Sequence, residues 1–333
     1  MRPTARQVAE LAGVSVATVS YVLSGRDRPV AAETRRRVLD AAGRLGYTPD
    51  QAARSLRRGR TQRVCLVLSS LGGVPTDERL ATDLHEMADA RGYSVVNLAV
   101  YSEARAKAAV DVLRGGVADG ALINVTGGHL APELINGLAA AGLPMVVLSN
   151  EDGLEGCDVV RTPETDACEE AVTHLLARGR RRIAFLAHRH DLYRERPSGR
   201  VLGYTRALDR HGVPDRIITS GADDRVSAYQ TATELLRSAD RPDAIFAASD
   251  RAAISAIWAA RDAGLRVPDD VAIVGVGNID EGLITNPQLS TVGPLRHDYT
   301  DVVRLLFDRL QAEEAPAPRE IVRSWTFLRR GSS

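Results

Sequence analysis

The residues whose types and spacing are best suited to chemistry lie near the N-terminus, in GVSVATVSYVLSG, residues 13–25. Ser15, Thr18 and Ser20 place three hydroxyls on a short segment with almost no charge, and Val16, Ala17 and Tyr21 stand between them. Hydroxyls of this kind donate to phosphates, as do the free N–H groups at a helix start. A helix lying between two phosphate rails cannot carry carboxylates on its contact face, and short side chains let its backbone come close. The competing reading is a compact helix inside an ordinary helical bundle. Other chemistries find less support. Cys65, Cys157 and Cys168 are far apart with no CxxC spacing, which argues for reduced thiols and against a disulfide framework or a zinc site. The seven His residues show no metal spacing, and neither GxSxG, GxGxxG nor a P-loop is present.

The elements that must position those hydroxyls can be read from capping and periodicity. Thr4 and Gln7 have capping-box spacing, opening a helix with Val8, Leu11 and Ala12 as its apolar stripe, and Gly13 ends it. Ser15 is a fresh N-cap for a second helix from about Val16 to Leu23, with Val19, Val22 and Leu23 on one side. A third helix is expected from about Ala32 to Leu45, with Val38, Leu39, Ala42 and Leu45 inward and Gly46 as its stop. Two helices joined through Gly13-Val14 and backed by a third make a helix-turn-helix, whose second helix enters the DNA major groove. After Pro49, Asp50 can cap one more short helix, AARSLRRG, which has little apolar face of its own.

From Arg63 the texture changes to Val/Ile/Leu runs alternating with amphipathic helices. Strands are expected at 64–70, 93–100, 119–125, 144–149, 182–188, 244–249 and 271–277, each except the fourth followed by a helix. A last helix (about Asp298 to Leu310) and one last strand (about Ile321 to Leu328) follow. This pattern predicts parallel sheets covered on both faces, in two similar lobes of roughly 61–160 and 161–290. Ligands of such sheets bind beyond the carboxyl ends of the strands, here a cleft between lobes.

Charge divides the chain in the same place. Residues 1–60 hold 12 Arg against five acidic residues, a surplus of seven, while the whole chain of 333 residues sums to zero. A basic head on an acidic body fits a polyanionic partner. Arg abundance alone is no such evidence, because all but one of the 43 basic residues are Arg, as a G+C-rich genome would give. No signal peptide opens the sequence and no run approaches the ~18 apolar residues of a membrane span, so a cytoplasmic protein with no membrane association is expected.

The text TARQVAELAGVSVATVSYVLSG…VAAETRRRVLDAAGRLGYTPDQAARSLRRGRT resembles, nearly position by position, the N-terminal segment of the lactose-repressor (LacI) family of bacterial transcription regulators. The resemblance continues through HLLARGRRRIAFLAH, RVLGYTRALDRHG, AIFAASDRAAISAIWAARDAGLRVPDDVAIVGVG and PQLSTV, covering essentially the whole sequence. It implies a helix-turn-helix domain at 1–47, a hinge helix and linker at 48–60, and a two-lobed α/β domain at 61–333 that resembles a periplasmic binding protein. That domain would bind an effector and dimerise. Val16, Ala17 and Tyr21 would face base edges; Thr4, Thr34 and Tyr47 complete the phosphate-facing set with the hydroxyls of Ser15, Thr18 and Ser20. Tyr21 stands where the family commonly has Arg, and Ala31 replaces the usual hydroxyl cap of the third helix. In the hinge, Leu56 would wedge into the minor groove, with Ala53 at the helix–helix contact, Arg54, Arg57 and Arg58 on phosphates, and Asp50 in place of the usual Asn.

For the cleft the resemblance implies Ser69, Asn124, Ser149, Arg200, Ser249, Asp250 and Gly277. Arg200 and Asn124 keep the pattern of sugar-binding members; Ser149, Ser249 and Gly277 stand where Asp, Asn and Asp are usual. Asp250 has a second reading as a helix N-cap. Asp223 and Asp224 occupy a loop that often supplies a stacking ring. The expected ligand is therefore bulkier than a monosaccharide, or anionic and held by Arg200, or the cleft has lost its ligand. The leading expectation is a dimeric repressor on a palindromic operator, without enzymatic activity, metal or cofactor. An activator and a co-repressed regulator stay open beside it. An enzyme and a plain binding module are the rivals, disfavoured respectively by the missing catalytic motifs and by the basic helix-turn-helix. The chain ends soon after the last expected strand, which favours a dimer over a tetramer.

Overall fold

The computed structural model describes residues 3–23, 30–48, 59–69, 75–124, 129–193 and 197–333. The chain divides into two compact units, Met1–Gln62 and Arg63–Ser333.

The first unit holds α1 (Ala5–Ala12), α2 (Val16–Leu23) and α3 (Ala32–Leu45). The Thr4 side chain accepts from the Gln7 backbone N–H while the Gln7 side chain takes the Thr4 N–H, the reciprocal cap that the spacing predicts. Gly13 sits at φ 64°, the left-handed region that a side chain enters reluctantly, and the Val14 N–H returns to the Ala9 carbonyl. That turn sets α2 against α1. The core between the helices is small: Val8, Ala9, Ala12, Val19, Val22, Val38, Ala41 and Ala42. Two expected core residues are not in it, since Leu11 is 45% and Leu39 51% exposed. Ala9 and Ala41 are buried where those leucines were expected, because close helix approach favours small residues. Ala31 caps α3 without any side-chain hydrogen bond. The expected short helix after Asp50 lies outside the described residues.

The second unit builds lobe 1 from β1 (Arg63–Leu68), α4 (Pro75–Ala90), β2 (Ser94–Ala99), α5 (Glu103–Arg114), β3 (Gly120–Asn124), α6 (Pro132–Ala140), β4 (Met145–Leu148) and β5 (Asp158–Arg161). Lobe 2 follows with α7 (Thr165–Ala177), β6 (Ile183–Ala187), α8 (Arg189–Tyr193), α9 (Gly199–Arg210), β7 (Ile217–Ser220), α10 (Arg225–Arg237), β8 (Ala244–Ala247), α11 (Asp250–Asp262), β9 (Ala272–Val276), α12 (Glu281–Ile284) and β10 (Ser290–Gly293). The chain then adds α13 (Thr300–Gln311) and β11 (Glu320–Val322) to lobe 1 and β12 (Thr326–Leu328) to lobe 2.

Each sheet has six strands among the described residues, in the orders β11-β5-β4-β3-β1-β2 and β12-β10-β9-β8-β6-β7. The pairings are parallel except β12 against β10. Alternation along β1 explains the layering of lobe 1. Val64, Leu66 and Leu68 face α4 and α13, while Cys65 and Val67 face α5 and α6. Lobe 2 is likewise covered on both faces around Phe185, Phe246 and Tyr204.

The strands β5, β7 and β10 were not among the expected ones; each is four residues long and interrupted by polar residues, unlike the equally short but wholly apolar β4 and β8. The single last strand expected from Ile321 to Leu328 is two strands in different sheets, so this stretch is a crossing between lobes. The chain therefore crosses three times, near 162–164, 294–299 and 323–325.

Candidate functional site

The head presents α2 by its N-terminal half. Ser15, Val16 and Ala17 are exposed, Val16 at 47%, while Val19 and Val22 are turned into the core. The Ser15 hydroxyl accepts from the Thr18 N–H at 3.1 Å and lies 2.9 Å from the Thr18 hydroxyl. Ser15 thus fixes where α2 begins and keeps a hydroxyl at its exposed end. Thr18, Ser20 and Tyr21 are half-buried on the flanks. Thr34 is half-buried in the first turn of α3, and Tyr47 packs against the small core just beyond it. Thr4 is exposed at the start of α1. The structure thus joins these residues on one three-helix scaffold. Asp50, Ala53, Arg54, Leu56 and Arg57 lie outside the described residues.

In the body, the expected cleft residues fall at carboxyl ends of strands. Leu68 is in register with Asn124, and Asn124 with Leu148, so Asn124 ends the paired row across β1, β3 and β4, with Ser69 and Ser149 one residue beyond it. Asn124 is buried, and its Nδ2 donates to Asp77 Oδ1 at 2.7 Å. Burial pushes the Asp77 carboxyl up to about 7, against the lowering effect of the Asn124 hydrogen bond. Sequence reasoning missed Asp77, whose partner is 47 residues away. The Ser149 hydroxyl is turned to its own loop, accepting from the Glu151 N–H at 3.0 Å.

In lobe 2 the structure brings Arg200, Ser249, Asp250 and Gly277 together. Arg200 Nε donates to both Glu164 carboxylate oxygens at 3.2 Å, and Nη1 donates to the Ala248 carbonyl beside Ser249. Its guanidinium also lies over the Trp325 ring, 5.9 Å from the centroid. Glu164 therefore already supplies the counter-charge that an anion would bring to Arg200. Ser249, not Asp250, caps α11, its hydroxyl accepting from the Ala252 N–H at 3.2 Å. Asp250 is 1% exposed, with one oxygen accepting from the Thr291 hydroxyl at 2.6 Å and the other from the Ile279 N–H at 2.8 Å. Burial raises this carboxyl to about 6. Asp250 is thus a strut between α11, β10 and the loop after β9 instead of an open acceptor. Gly277 sits beside it at φ 136°, a backbone conformation that side chains rarely adopt.

Past β6 lies a second group, of which sequence reasoning named only Asp223. The rings of His188 and His190 stack at 5.2 Å, nearly parallel. Asp223 accepts from the Arg189 N–H at 3.1 Å and lies 3.6 Å from His188 Nδ1. The hydrogen bond from His188 holds Asp223 below its usual range. HRHD in the sequence was the available signal; its pairing with Asp223 needed the β6–β7 contact. Across the lobes, Arg251 Nη2 comes within 3.7 Å of Glu78 Oε1, so the first turns of α11 and α4 meet. Among the described residues, no three His, Cys, Asp or Glu side chains are arranged to hold a metal ion.

Comparison with known proteins places both units. Residues 4–50 match the model of bacterial regulatory proteins of the lacI family, and residues 172–333 match a periplasmic binding protein-like domain. The transcriptional regulator CelR of Thermobifida fusca is 31% identical, with 98% of each chain covered. The transcriptional regulator DegA of Bacillus subtilis (strain 168) is 31% identical over 88% of this chain and 86% of its own. Among solved structures, the lac repressor dimer bound to operator and the anti-inducer ONPF is 26% identical, with 100% of this chain and 99% of that one covered at a TM-score of 0.77. The CelR–cellobiose complex is 28% identical, with both chains fully covered at a TM-score of 0.68.

Proposed function

Because this chain belongs to the LacI family of bacterial regulatory proteins, and is accordingly a DNA-binding transcription regulator and no enzyme, we propose specific roles for its residues. The protein acts in the cytoplasm as a dimeric repressor on a palindromic operator, with residues 1–47 as reading head, 48–60 as hinge and 61–333 as effector and dimerisation domain. Supporting this is the exposed, carboxylate-free N-terminal half of α2, held in place by the Ser15 cap and the Gly13 turn. Val16 and Ala17 offer methyl contacts, Tyr21 reads one further base edge, and Thr4, Ser15, Thr18, Ser20, Thr34 and Tyr47 position the helix on phosphates. In the hinge, Leu56 is the minor-groove wedge, with Ala53 between the two hinge helices, Asp50 as cap, and Arg54 and Arg57 on the backbone.

The effector is a neutral, hydroxyl-rich molecule larger than a single sugar ring. Arg200 is already charge-paired with Glu164, so an anionic ligand would compete with that carboxylate, whereas its remaining N–H donors suit the hydroxyls of a neutral ligand. Ser69, Asn124, Ser149, Ser249 and Gly277 leave space around it, with the stacked His188 and His190 rings as a planar wall. Binding matters to transcription through unequal affinity for two lobe arrangements. Isothermal titration of the full-length protein against oligosaccharides, monosaccharides and organic acids tests this. Heat from the oligosaccharides supports it; tight binding of an organic acid would refute it.

A further inference from the structure

Arg200 lies in the first turn of α9 in lobe 2, yet two of its partners belong to the segments that join the lobes. Its Nε donates to both carboxylate oxygens of Glu164, in the first crossing, and its guanidinium lies 5.9 Å from the centroid of the Trp325 ring, in the third. A further contact stays inside lobe 2, from Nη1 to the Ala248 carbonyl just after β8. One side chain thus spans the carboxyl end of β8 and two crossings. Glu164 is closely seated there. A Cβ on Gly199 would lie 2.8 Å from the Glu164 Cγ and 3.0 Å from the Thr165 Oγ1, so α9 begins against it with room for no side chain. Trp325 is fixed from its own side, the ring packed against the lobe 2 core and the N–H donating to the Pro163 carbonyl at 3.4 Å.

The crossings are themselves tied together. Arg323, in the third, donates from Nη2 to the Asp298 carbonyl of the second at 2.6 Å, and its guanidinium lies 5.0 Å from the centroid of the Tyr299 ring. The Arg323 N–H donates to the Arg161 carbonyl, just before the first crossing, at 2.8 Å. A displacement of Glu164 or Trp325 is therefore shared by all three segments. We propose that Glu164 and Trp325 are positioning residues that couple Arg200 to the crossings, so that a ligand drawing on the guanidinium changes how the two lobes are held. Glu164 fixes the guanidinium by charge and hydrogen bonding, and the Trp325 ring holds its plane from a second direction. These groups and the Ala248 carbonyl all belong to the protein, so the clamp needs no ligand to form. A neutral, hydroxyl-rich molecule that accepts from the guanidinium competes with them and loosens it. The inference rests on the repressor reading above, in which the ligand-free protein holds its operator. Loosening the clamp by mutation should then weaken DNA binding, although no clamp residue lies in the head.

The test measures the affinity of the full-length protein, with no ligand added, for a duplex that the wild type has selected from random sequence. The variants are Glu164→Ala, Trp325→Ala and the two combined, with urea unfolding to fix the folded fraction of each. Glu169→Ala is the control, because Glu169 on α7 is a carboxylate of similar burial, 9% exposed against 12% for Glu164, and is paired instead with Arg210. Coupling between sites is typically worth at least a factor of about five, so each clamp variant should weaken duplex binding by about fivefold or more. The control should leave it unchanged. Because both substitutions act through one arginine, the combined variant should lose less than the product of the separate losses. Should an alanine variant not fold, Glu164→Gln and Trp325→Leu, which remove the charge and the aromatic ring but keep most of the bulk, are read in the same way. Unchanged affinity in both single variants overturns the coupling and leaves the repressor reading standing. Equal weakening by Glu169→Ala, or a combined loss equal to the product, also overturns it. Tighter duplex binding in both clamp variants supports the coupling and refutes the repressor reading, from which the direction follows.

Discussion

Asp250 holds a carboxyl that burial raises from 3.8 to about 6. The folded protein therefore binds this proton more tightly than the unfolded chain does. Its favourable contribution is fully present below about pH 4 and is lost as pH rises through about 6. Asp250→Asn keeps an acceptor for the Ile279 N–H and abolishes the titration. Urea unfolding of wild type and variant should then diverge with pH, the variant gaining on the order of 2–3 kcal/mol relative to wild type between pH 4 and pH 7.5. Asp77, raised to about 7 for the same reason, leaves a residual dependence of the same sign in that variant. On the head, Tyr21→Arg introduces a two-pronged donor suited to guanine, worth roughly 1–3 kcal/mol of discrimination. Selection of duplexes from random sequence should show a changed preference at one symmetric position and little change elsewhere. Legibility at this scale followed chain distance. The Thr4 and Ser15 caps were readable because each partner lies three residues away. The Asp77–Asn124 and Arg200–Glu164 pairs, 47 and 36 residues apart, were not. The role of Asp250 turned on a one-residue difference in where α11 begins.

Helices α7 and α9 approach so closely that a Cβ on Gly203 would lie 2.5 Å from the Cys168 Cβ and 2.6 Å from the Thr165 carbonyl oxygen. Both helices would have to move. Gly203→Ala should therefore cost roughly 1–3 kcal/mol as overpacking, read as a lower denaturation midpoint with an unchanged slope. Lobe 1 has a polar counterpart. The fully buried Asp158 on β5 accepts from Arg309 of α13 and from Arg319 at 2.7 Å just before β11. The two arginines hold its carboxyl below the usual range, although burial alone would raise it. Asp158→Ala leaves Arg309 buried without its counter-charge and should cost about 3–5 kcal/mol. Helix positions were legible because apolar spacing and glycine stops agreed, to the residue for α2 and α3. Which residues face inward was less so, since alanine and leucine exchange roles where helices cross closely. The strand β7, IITS, lacks the unbroken apolar run that marked the equally short β4, MVVL, and the split of the last strand depends on which sheet each half joins.

The whole molecule combines a basic head with an acidic body of two lobes that the chain crosses three times. Three crossing segments join the lobes, and the Arg251–Glu78 contact meets where they approach. That pair is partly exposed, so by itself it contributes little to stability. The two parallel α/β lobes were legible because long Val/Ile/Leu runs alternated with helices.

The most direct test of the central claim, that a cationic head reads symmetric duplex DNA, is the affinity of the full-length protein for its selected duplex across a salt series, with the stoichiometry measured alongside. The account predicts two chains per duplex and a logarithm of affinity falling linearly with the logarithm of salt concentration, by about 0.9 for each phosphate neutralised. One chain per duplex, or an affinity indifferent to salt, would contradict it.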